Sequence, residues 1–114
     1  AIFAGILESG AEAILLTPNR MCDYVSHSVM DPAWKSIAQA AADIQANGVL
    51  DRYVDAAREA AKDLNVPVAD AYLRWRKMNE SGIDTTALLS NAINHPTQDM
   101  HDIFVEAILD AIFR

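Results

Sequence analysis

The residue whose type and setting best suit catalysis is His95, which lies in the segment 90–97 (SNAINHPT) between a polar loop and a predicted helix. Pro96 restricts the backbone of His95 to extended conformations and suits the first position of a helix. An imidazole exchanges a proton near neutral pH, so a histidine held at such a junction can act as general base and then general acid. A histidine that only caps the helix explains the spacing equally well.

The elements that would position His95 follow from hydrophobic patterning. Residues 1–10 (AIFAGILESG) are typical of the end of an amphipathic helix stopped by Gly10, so the chain is expected to begin inside an element. The apolar runs 11–18 and 66–72 predict two short strands, and the near-continuous first run is typical of a strand buried in a parallel sheet. Between them, helices are predicted over 32–46 and 49–64.

The remaining segments complete the predicted order. The loop 19–30 follows the first strand, at the sheet edge where open α/β sheets bind ligands. A short helix is predicted over 72–79, an irregular loop over 81–94, and a final helix that begins at Pro96. Two parallel strands cannot satisfy both edges of a sheet, so further strands are expected from outside this sequence.

Composition excludes several classes of partner. The 114 residues fit one small domain, and 52% hydrophobic content indicates a globular chain. Sixteen acidic and nine basic side chains give a net charge of -7, the wrong sign for binding nucleic acid or anionic lipid. No apolar stretch approaches the roughly 20 residues that cross a bilayer. The single cysteine, Cys22, is interpreted as a small apolar core residue.

Three segments together resemble the carboxy-terminal half of the SGNH hydrolases, the GDSL-type lipase and esterase family. They are 50–54 (LDRYV), 66–70 (VPVAD) and 94–96 (NHP) with the helix that follows, and 13–18 (AILLTP) also fits a strand of that family. The resemblance covers nearly the whole chain, and its most specific part is the His-Pro pair before the last helix. It implies a three-layer α/β/α, flavodoxin-like fold with a parallel sheet, of which residues 1–114 would be the carboxy-terminal portion of one domain, without the amino-terminal strands.

The resemblance also implies a carboxylic-ester hydrolase. Its nucleophile is a serine in a Gly-Asp-Ser block near the amino end, assisted by a glycine amide and an asparagine side chain that bind the oxyanion. None of these three blocks occurs in this chain, so only the histidine carries over, onto His95. The expected partners are an ester substrate, with an acylated carbohydrate as one candidate, and the missing amino-terminal segment. No cofactor or metal is expected.

One position departs from the family pattern. An aspartate that orients the histidine usually lies three residues before it, and here that position is Ala92. Asn91 and Asn94 are the nearest polar residues, and either amide could fix the ring without supplying negative charge. Asn91 is the predicted replacement, while a backbone carbonyl in a Ser-His dyad, or no replacement, remain alternatives.

Other candidates have simpler interpretations. His101, with Asp99 and Asp102 nearby, suggests metal ligands, but a separation of six residues from His95 puts the two rings on different helix faces. His27 between two serines lacks an elbow motif. Five further residues could line a cleft or bind a ligand, and packing, turns or capping explain them at least as well: Asn19, Tyr24, Trp34, Asp70 and Trp75.

A non-catalytic α/β or helical interaction module, in which His95-Pro96 only caps a helix, is the rival hypothesis. It takes the chain as complete.

Overall fold

The computed structural model describes residues 1–113 as a mixed α/β structure that is mostly helical. The helices are α1 (Ile2–Glu8), α2 (Pro32–Ala46), α3 (Val49–Asp63), α4 (Ala71–Glu80) and α5 (His101–Ile112). The strands are β1 (Leu15–Leu16) and β2 (Val68–Ala69), and short 3-10 helices cover Thr85–Leu88 and Gln98–Met100. No helix within residues 1–113 combines the length and the apolar character that crossing a membrane requires.

The two strands pair in parallel, as predicted, with Leu15 opposite Val68 and Leu16 opposite Ala69. Both are shorter than the apolar runs suggested. The second strand stops at Ala69 because Asp70 is the N-cap of α4, so residues 71 and 72 are helical. The sequence prediction of a strand through residue 72 was therefore wrong at its end, where capping overrides β-propensity.

Helices α2 and α3 connect the strands and lie close to their predicted positions. Asp31 begins α2, with its Oδ1 accepting a hydrogen bond from the backbone N of Ala33 at 2.7 Å, and Pro32 follows at the first helical position. Gly48 separates the two helices at a φ of 70°, a left-handed conformation that glycine adopts without strain. These signals lie within a few residues of one another, which is why sequence alone located both helices.

The final helix begins later than predicted. Pro96 pairs with Leu89 in an isolated antiparallel bridge, and the backbone is still extended at Thr97, where ψ is 160°. A 3-10 turn follows, and α5 starts only at His101. Pro96 has no N–H to donate and therefore fits a bridge as well as a helix start. The prediction that Pro96 opens the helix was wrong for this reason.

Two small clusters form the core. In the larger one, the buried alanines of α2 pack against Trp75 of α4 and against Cys22, Leu89 and Ile93 from the loops. In the smaller one, Ala69 and Ala71 pack against Ala107 of α5. Small side chains let the helices approach closely, so a few large residues, Trp75 above all, fill the remaining space.

Asp70 joins four elements at the carboxyl end of the strands. Its carboxylate accepts two hydrogen bonds from the Arg58 guanidinium at 2.8 and 2.9 Å, one from the Thr17 hydroxyl at 3.0 Å and one from the backbone N of Leu73. Thr17 follows β1, Arg58 lies on α3 and Leu73 is in the first turn of α4. The structural interpretation of Asp70 is thus the one the contacts support.

Tyr72 extends this polar network toward α2. Its hydroxyl donates to Oδ1 of Asp51 at 2.7 Å and accepts from Nε2 of the buried Gln45 at 2.8 Å. Gln45 Oε1 in turn accepts a hydrogen bond from the backbone N of Met21, in the loop after β1. Burial raises the pKa of Tyr72 to about 12; the hydrogen bond from Gln45 lowers it, while the bond to Asp51 and the Asp51 charge raise it. The network therefore connects the sheet to the loop that follows it.

The Asp70 network should make stability fall in acid. Partial burial alone would raise the pKa of Asp70, but hydrogen bonds from Arg58, the Leu73 amide and Thr17, with the Arg58 charge, bring it below its ordinary value. The stabilisation is complete above pH about 4 and is lost as pH falls toward the lower folded value. We expect Asp70→Ala to reduce the free energy of unfolding by about 2–3 kcal/mol at neutral pH and to flatten this acid dependence.

Urea unfolding between pH 2 and 7 measures both effects. Asp55→Asn is the matched control, because Asp55 also pairs with Arg58 but its side chain is 65% exposed. It should change stability by less than about 0.5 kcal/mol. Equal losses in the two variants would contradict the central role of Asp70.

Tyr72 should have the opposite pH dependence. Its pKa is raised in the folded state, so its stabilisation is complete below pH about 10 and is lost as pH rises toward 12. Tyr72→Phe should remove that alkaline decline and lower stability by about 1–2 kcal/mol at neutral pH, because Gln45 loses a partner. Denaturant unfolding from pH 8 to 11 tests this, with exposed Tyr53→Phe as a control that should retain the decline.

Candidate functional site

His95 lies in a tight hairpin formed by residues 88–97, here called the His95 hairpin. The backbone N of Thr97 donates to the carbonyl of Leu88 at 3.0 Å, and the backbone N of Ser90 donates to the carbonyl of His95 at 2.7 Å. The Ser90 hydroxyl donates to the same His95 carbonyl at 3.1 Å. The loop that sequence patterning called irregular is thus locally well defined.

Two apolar residues fix the hairpin to the larger core cluster. Leu89 and Ile93 are both buried, at 5% and 4% exposure, and pack with Cys22 and Trp75. The carbonyl of Ile93 also accepts a hydrogen bond from the backbone N of Cys22 at 2.8 Å. Because the hairpin is held by side chains on one side and by a main-chain bond on another, it is a fixed part of the fold.

Asn91 organises the hairpin from within. Its Oδ1 accepts hydrogen bonds from the backbone N atoms of Ile93, Asn94 and His95, each at 3.0 Å. Its Nδ2 donates to Oδ1 of Asn94 at 2.9 Å. The predicted role of Asn91, a bond to the imidazole, is not among these contacts. Asn91 instead holds the main chain of His95, so it acts on that residue through the backbone.

The imidazole of His95 makes no hydrogen bond within residues 1–113. Residue 95 is exposed, and among the hydrogen bonds of residues 1–113 it uses only its backbone N and O. The capping interpretation does not hold, because Thr97 is the N-cap of the 3-10 turn and Met100 that of α5. The main chain of His95 is thus fixed, and its ring is open to a further partner.

The loop 19–30 brings the carboxyl end of β1 to the hairpin. Asn19 Nδ2 donates to the carbonyl of Asn94 at 3.0 Å, next to His95. Asp23 fixes the rest of the loop, because its carboxylate accepts from Arg20 at 2.6 Å and from Asn79 of α4 at 2.8 Å. The sequence analysis left Asn19 between a ligand-binding role and a turn role. Its amide donates both to the neighbouring carbonyl of Arg20 and to the hairpin.

Three other candidates have no arrangement that suits catalysis. Ser26 and Ser28 hydrogen-bond to each other at 2.9 Å between hydroxyl oxygens, on either side of exposed His27. Burial raises the pKa of the Cys22 thiol, which donates to the carbonyl of Ala38 and is thus a core residue, as predicted. In the part of the chain described, no three His, Cys, Asp or Glu side chains come together as metal ligands.

The aromatic candidates differ in burial. Trp75 is fully buried and is a packing residue. Tyr24 is 46% exposed, and its hydroxyl donates to Asp84 Oδ2 at 2.6 Å. Trp34 is 55% exposed and lines a groove of about 450 Å³ that also includes Ser90 and Asn91 of the His95 hairpin. Sequence reasoning missed this groove and the hairpin, although an asparagine four residues before a His-Pro pair is a signal for a side chain that binds the following backbone amides.

The hairpin predicts a specific effect of substituting Asn91. Asn91→Ala should raise the amide hydrogen-exchange rates of residues 93–95 by about tenfold, because three donors lose their acceptor. Asn91→Asp keeps an acceptor oxygen and should preserve most of the protection. Exchange followed by NMR measures this, with Ser90→Ala as a milder comparison, since the backbone N of Ser90 still donates to His95. Equal protection in Asn91→Ala and the unaltered protein would contradict the assignment.

Comparison with protein-family models, with curated proteins and with solved structures gives no match for this chain.

Proposed function

We propose that this chain is the carboxy-terminal portion of an SGNH-type hydrolase domain and that it supplies the general base of a carboxylic-ester hydrolase. The carrying observation is His95, whose backbone is bonded on both sides within the His95 hairpin while its exposed ring has no hydrogen bond within residues 1–113. The nucleophilic serine and the oxyanion donors belong, on this proposal, to a segment outside residues 1–114.

The geometry supports a defined sequence of proton transfers. His95 removes the proton of the serine hydroxyl as its oxygen attacks the ester carbonyl, and the negative charge moves to the carbonyl oxygen. The resulting imidazolium gives its proton to the leaving alcohol, which leaves an acyl-enzyme. Water then repeats the two steps, with His95 again as base, and releases the acid. Each transfer needs the ring in one place. The hairpin fixes the main chain of His95, and on this proposal the missing segment orients the ring.

The proposed site departs from the usual Ser-His-Asp arrangement in the group that orients the histidine ring. Among residues 1–113, no carboxylate is hydrogen-bonded to the His95 imidazole, and position 92 carries alanine. Ala92 has a φ of 57°, a left-handed conformation that aspartate and asparagine tolerate better than alanine. We propose a Ser-His dyad in which Asn91 positions His95 through its backbone and adds no charge.

The three-layer fold of that family is part of the same proposal. β1 is an apolar strand in a sheet of two, yet Ile14 and Leu16 remain 38% and 42% exposed. A parallel pair this short is not stable without further cover. Additional parallel strands from the amino-terminal segment would bury these side chains and pair the open backbone groups.

A second candidate function is a non-catalytic interaction module, and one observation favours it. Helix α5 buries Ala107 against the sheet, but its outer side carries three exposed apolar residues, and a fourth follows at its C-cap. The exposed fractions are 51% for Val105, 47% for Leu109 and 52% for Ile112 on the helix, and 79% for Phe113 after it. A helix apolar on both sides is typical of one packed between two layers.

Substitution of His95 separates the two functions. In the intact protein, His95→Ala should lower kcat/KM for p-nitrophenyl acetate by about 10³-fold or more, because the serine loses its base. His101→Ala removes another exposed histidine and should leave turnover unchanged. Stopped-time spectrophotometry of released p-nitrophenol gives both values.

Two outcomes would oppose the hydrolase proposal. Unchanged turnover in His95→Ala would remove this residue from the mechanism. No turnover by the intact protein, with undisturbed folding, would favour the interaction module instead.

A further inference from the structure

The groove beside the His95 hairpin has a floor that is apolar and a rim that is mostly polar. Val29 and Ile93 form the floor, and they are only 7% and 4% exposed. The accessible rim consists of Ser28, Met30, Asp31, Trp34, Ser90 and Asn91. The groove has a volume of about 450 Å³, which lies within the range of binding sites for small molecules.

The position of Trp34 on α2 explains why its side chain is exposed. Position 34 is four residues before Ala38 and seven before Ala41, so the indole lies on the same side of α2 as the buried positions. The core cluster nevertheless ends before it, and the side chain remains 55% exposed. The indole therefore continues the packed side of α2 into the groove, where part of its surface is open to a ligand.

The polar groups around the indole keep unused hydrogen-bonding capacity. Asp31 caps α2 with Oδ1, which leaves Oδ2 as an acceptor. Ser90 donates its hydroxyl proton to His95 and can still accept. Asn91 uses one N–H of its amide for Asn94, and the second can donate. A ligand in the groove thus meets both acceptors and a donor around one aromatic surface.

This combination discriminates between ligand classes. An acyl chain would cover the Asp31 carboxylate and the hydroxyl and amide groups without bonding to them, which is unfavourable. A pyranose ring matches the groove, since its C–H groups can pack on the indole while its hydroxyls bond the rim. A quaternary ammonium ion favours several aromatic walls, and the groove has one.

We propose that this groove binds a pyranose sugar, stacked on Trp34. The groove shares Ser90 and Asn91 with the His95 hairpin, where both residues hold the backbone of His95. The sugar binding itself needs no turnover. It is therefore measurable whether or not the protein hydrolyses esters.

Fluorine NMR of the intact protein labelled with 5-fluorotryptophan tests the binding. The Trp34 resonance is assigned by its loss in Trp34→Phe, and fully buried Trp75 is an internal reference. The probes are xylotetraose, cellotetraose and chitotetraose at millimolar concentration, with hexanoate and choline as acyl and cationic comparisons. We expect at least one tetrasaccharide to shift the Trp34 resonance in a saturable manner, with no shift of Trp75 and none from hexanoate or choline.

Calorimetry with the binding tetrasaccharide then tests the role of the ring. Trp34→Ala should weaken binding by about tenfold and Trp34→Phe by less, because a smaller ring keeps part of the stacking. Tyr53→Ala removes an exposed aromatic residue that does not line the groove and should bind as the unaltered protein does. A Trp34 resonance that no tetrasaccharide shifts, or that only hexanoate or choline shifts, would overturn the proposal. Sugar binding without p-nitrophenyl acetate turnover would uphold it while the hydrolase function failed.

Discussion

The hydrogen bonds of the Asp70 carboxylate are the interactions on which the arrangement of the other elements depends. It stands at the end of β2, caps α4, accepts the guanidinium of α3 and accepts the hydroxyl that follows β1. Its partners come from residues 17, 58 and 73, so one group fixes the relative positions of two strands and two helices. A sheet with only two paired residues on each strand has few main-chain bonds of its own, and side-chain bonds at its end compensate.

From that end of the sheet, a continuous set of contacts leads to His95. Thr17 leads into the loop that contains Asn19, which bonds the His95 hairpin, and Cys22, which bonds Ile93. Gln45 ties the same loop to Tyr72. His95 is thus positioned by elements distant in sequence, although the residues that hold its own backbone are all within five positions of it. The main chain of His95 is fixed while its ring is exposed. This arrangement, together with the resemblance to the SGNH hydrolases, is the reason that an ester hydrolase is the function proposed.

Much of the helical structure could be predicted from sequence because its signals are local. Asp31 with Pro32 marks the start of α2 within two residues, and the apolar spacing of α3 repeats over four turns. The parallel pairing of the strands followed from their apolar character, but their lengths did not, because the end of β2 is decided by the capping bonds of Asp70. The start of α5 was misplaced for a related reason: Pro96 suits both a helix start and a bridge, and the choice depends on Leu89, seven residues earlier.

For the candidate site, His95 was predicted from its type and setting, and Asn91 only as a replacement for the aspartate that the resemblance implies. The structure brings the two residues together through the backbone, and their catalytic roles stay predictions. The bond expected between the Asn91 amide and the imidazole was not found, since Oδ1 of that amide is occupied by three main-chain donors. The groove at Trp34 depends on where the core ends along α2, and no local pattern contains that information. Exposure of one indole on the packed side of a helix is visible only in three dimensions.

The central claim is that His95 activates a serine, and the rate at which a fluorophosphonate modifies the intact protein tests it most directly. Attack of a serine oxygen on this reagent is fast only when a base removes the hydroxyl proton. Mass spectrometry should find one modified serine, labelled rapidly in the unaltered protein and at least about 10²-fold more slowly in His95→Ala. Equal labelling rates in the two proteins, or no labelled serine in a correctly folded intact protein, would contradict the account.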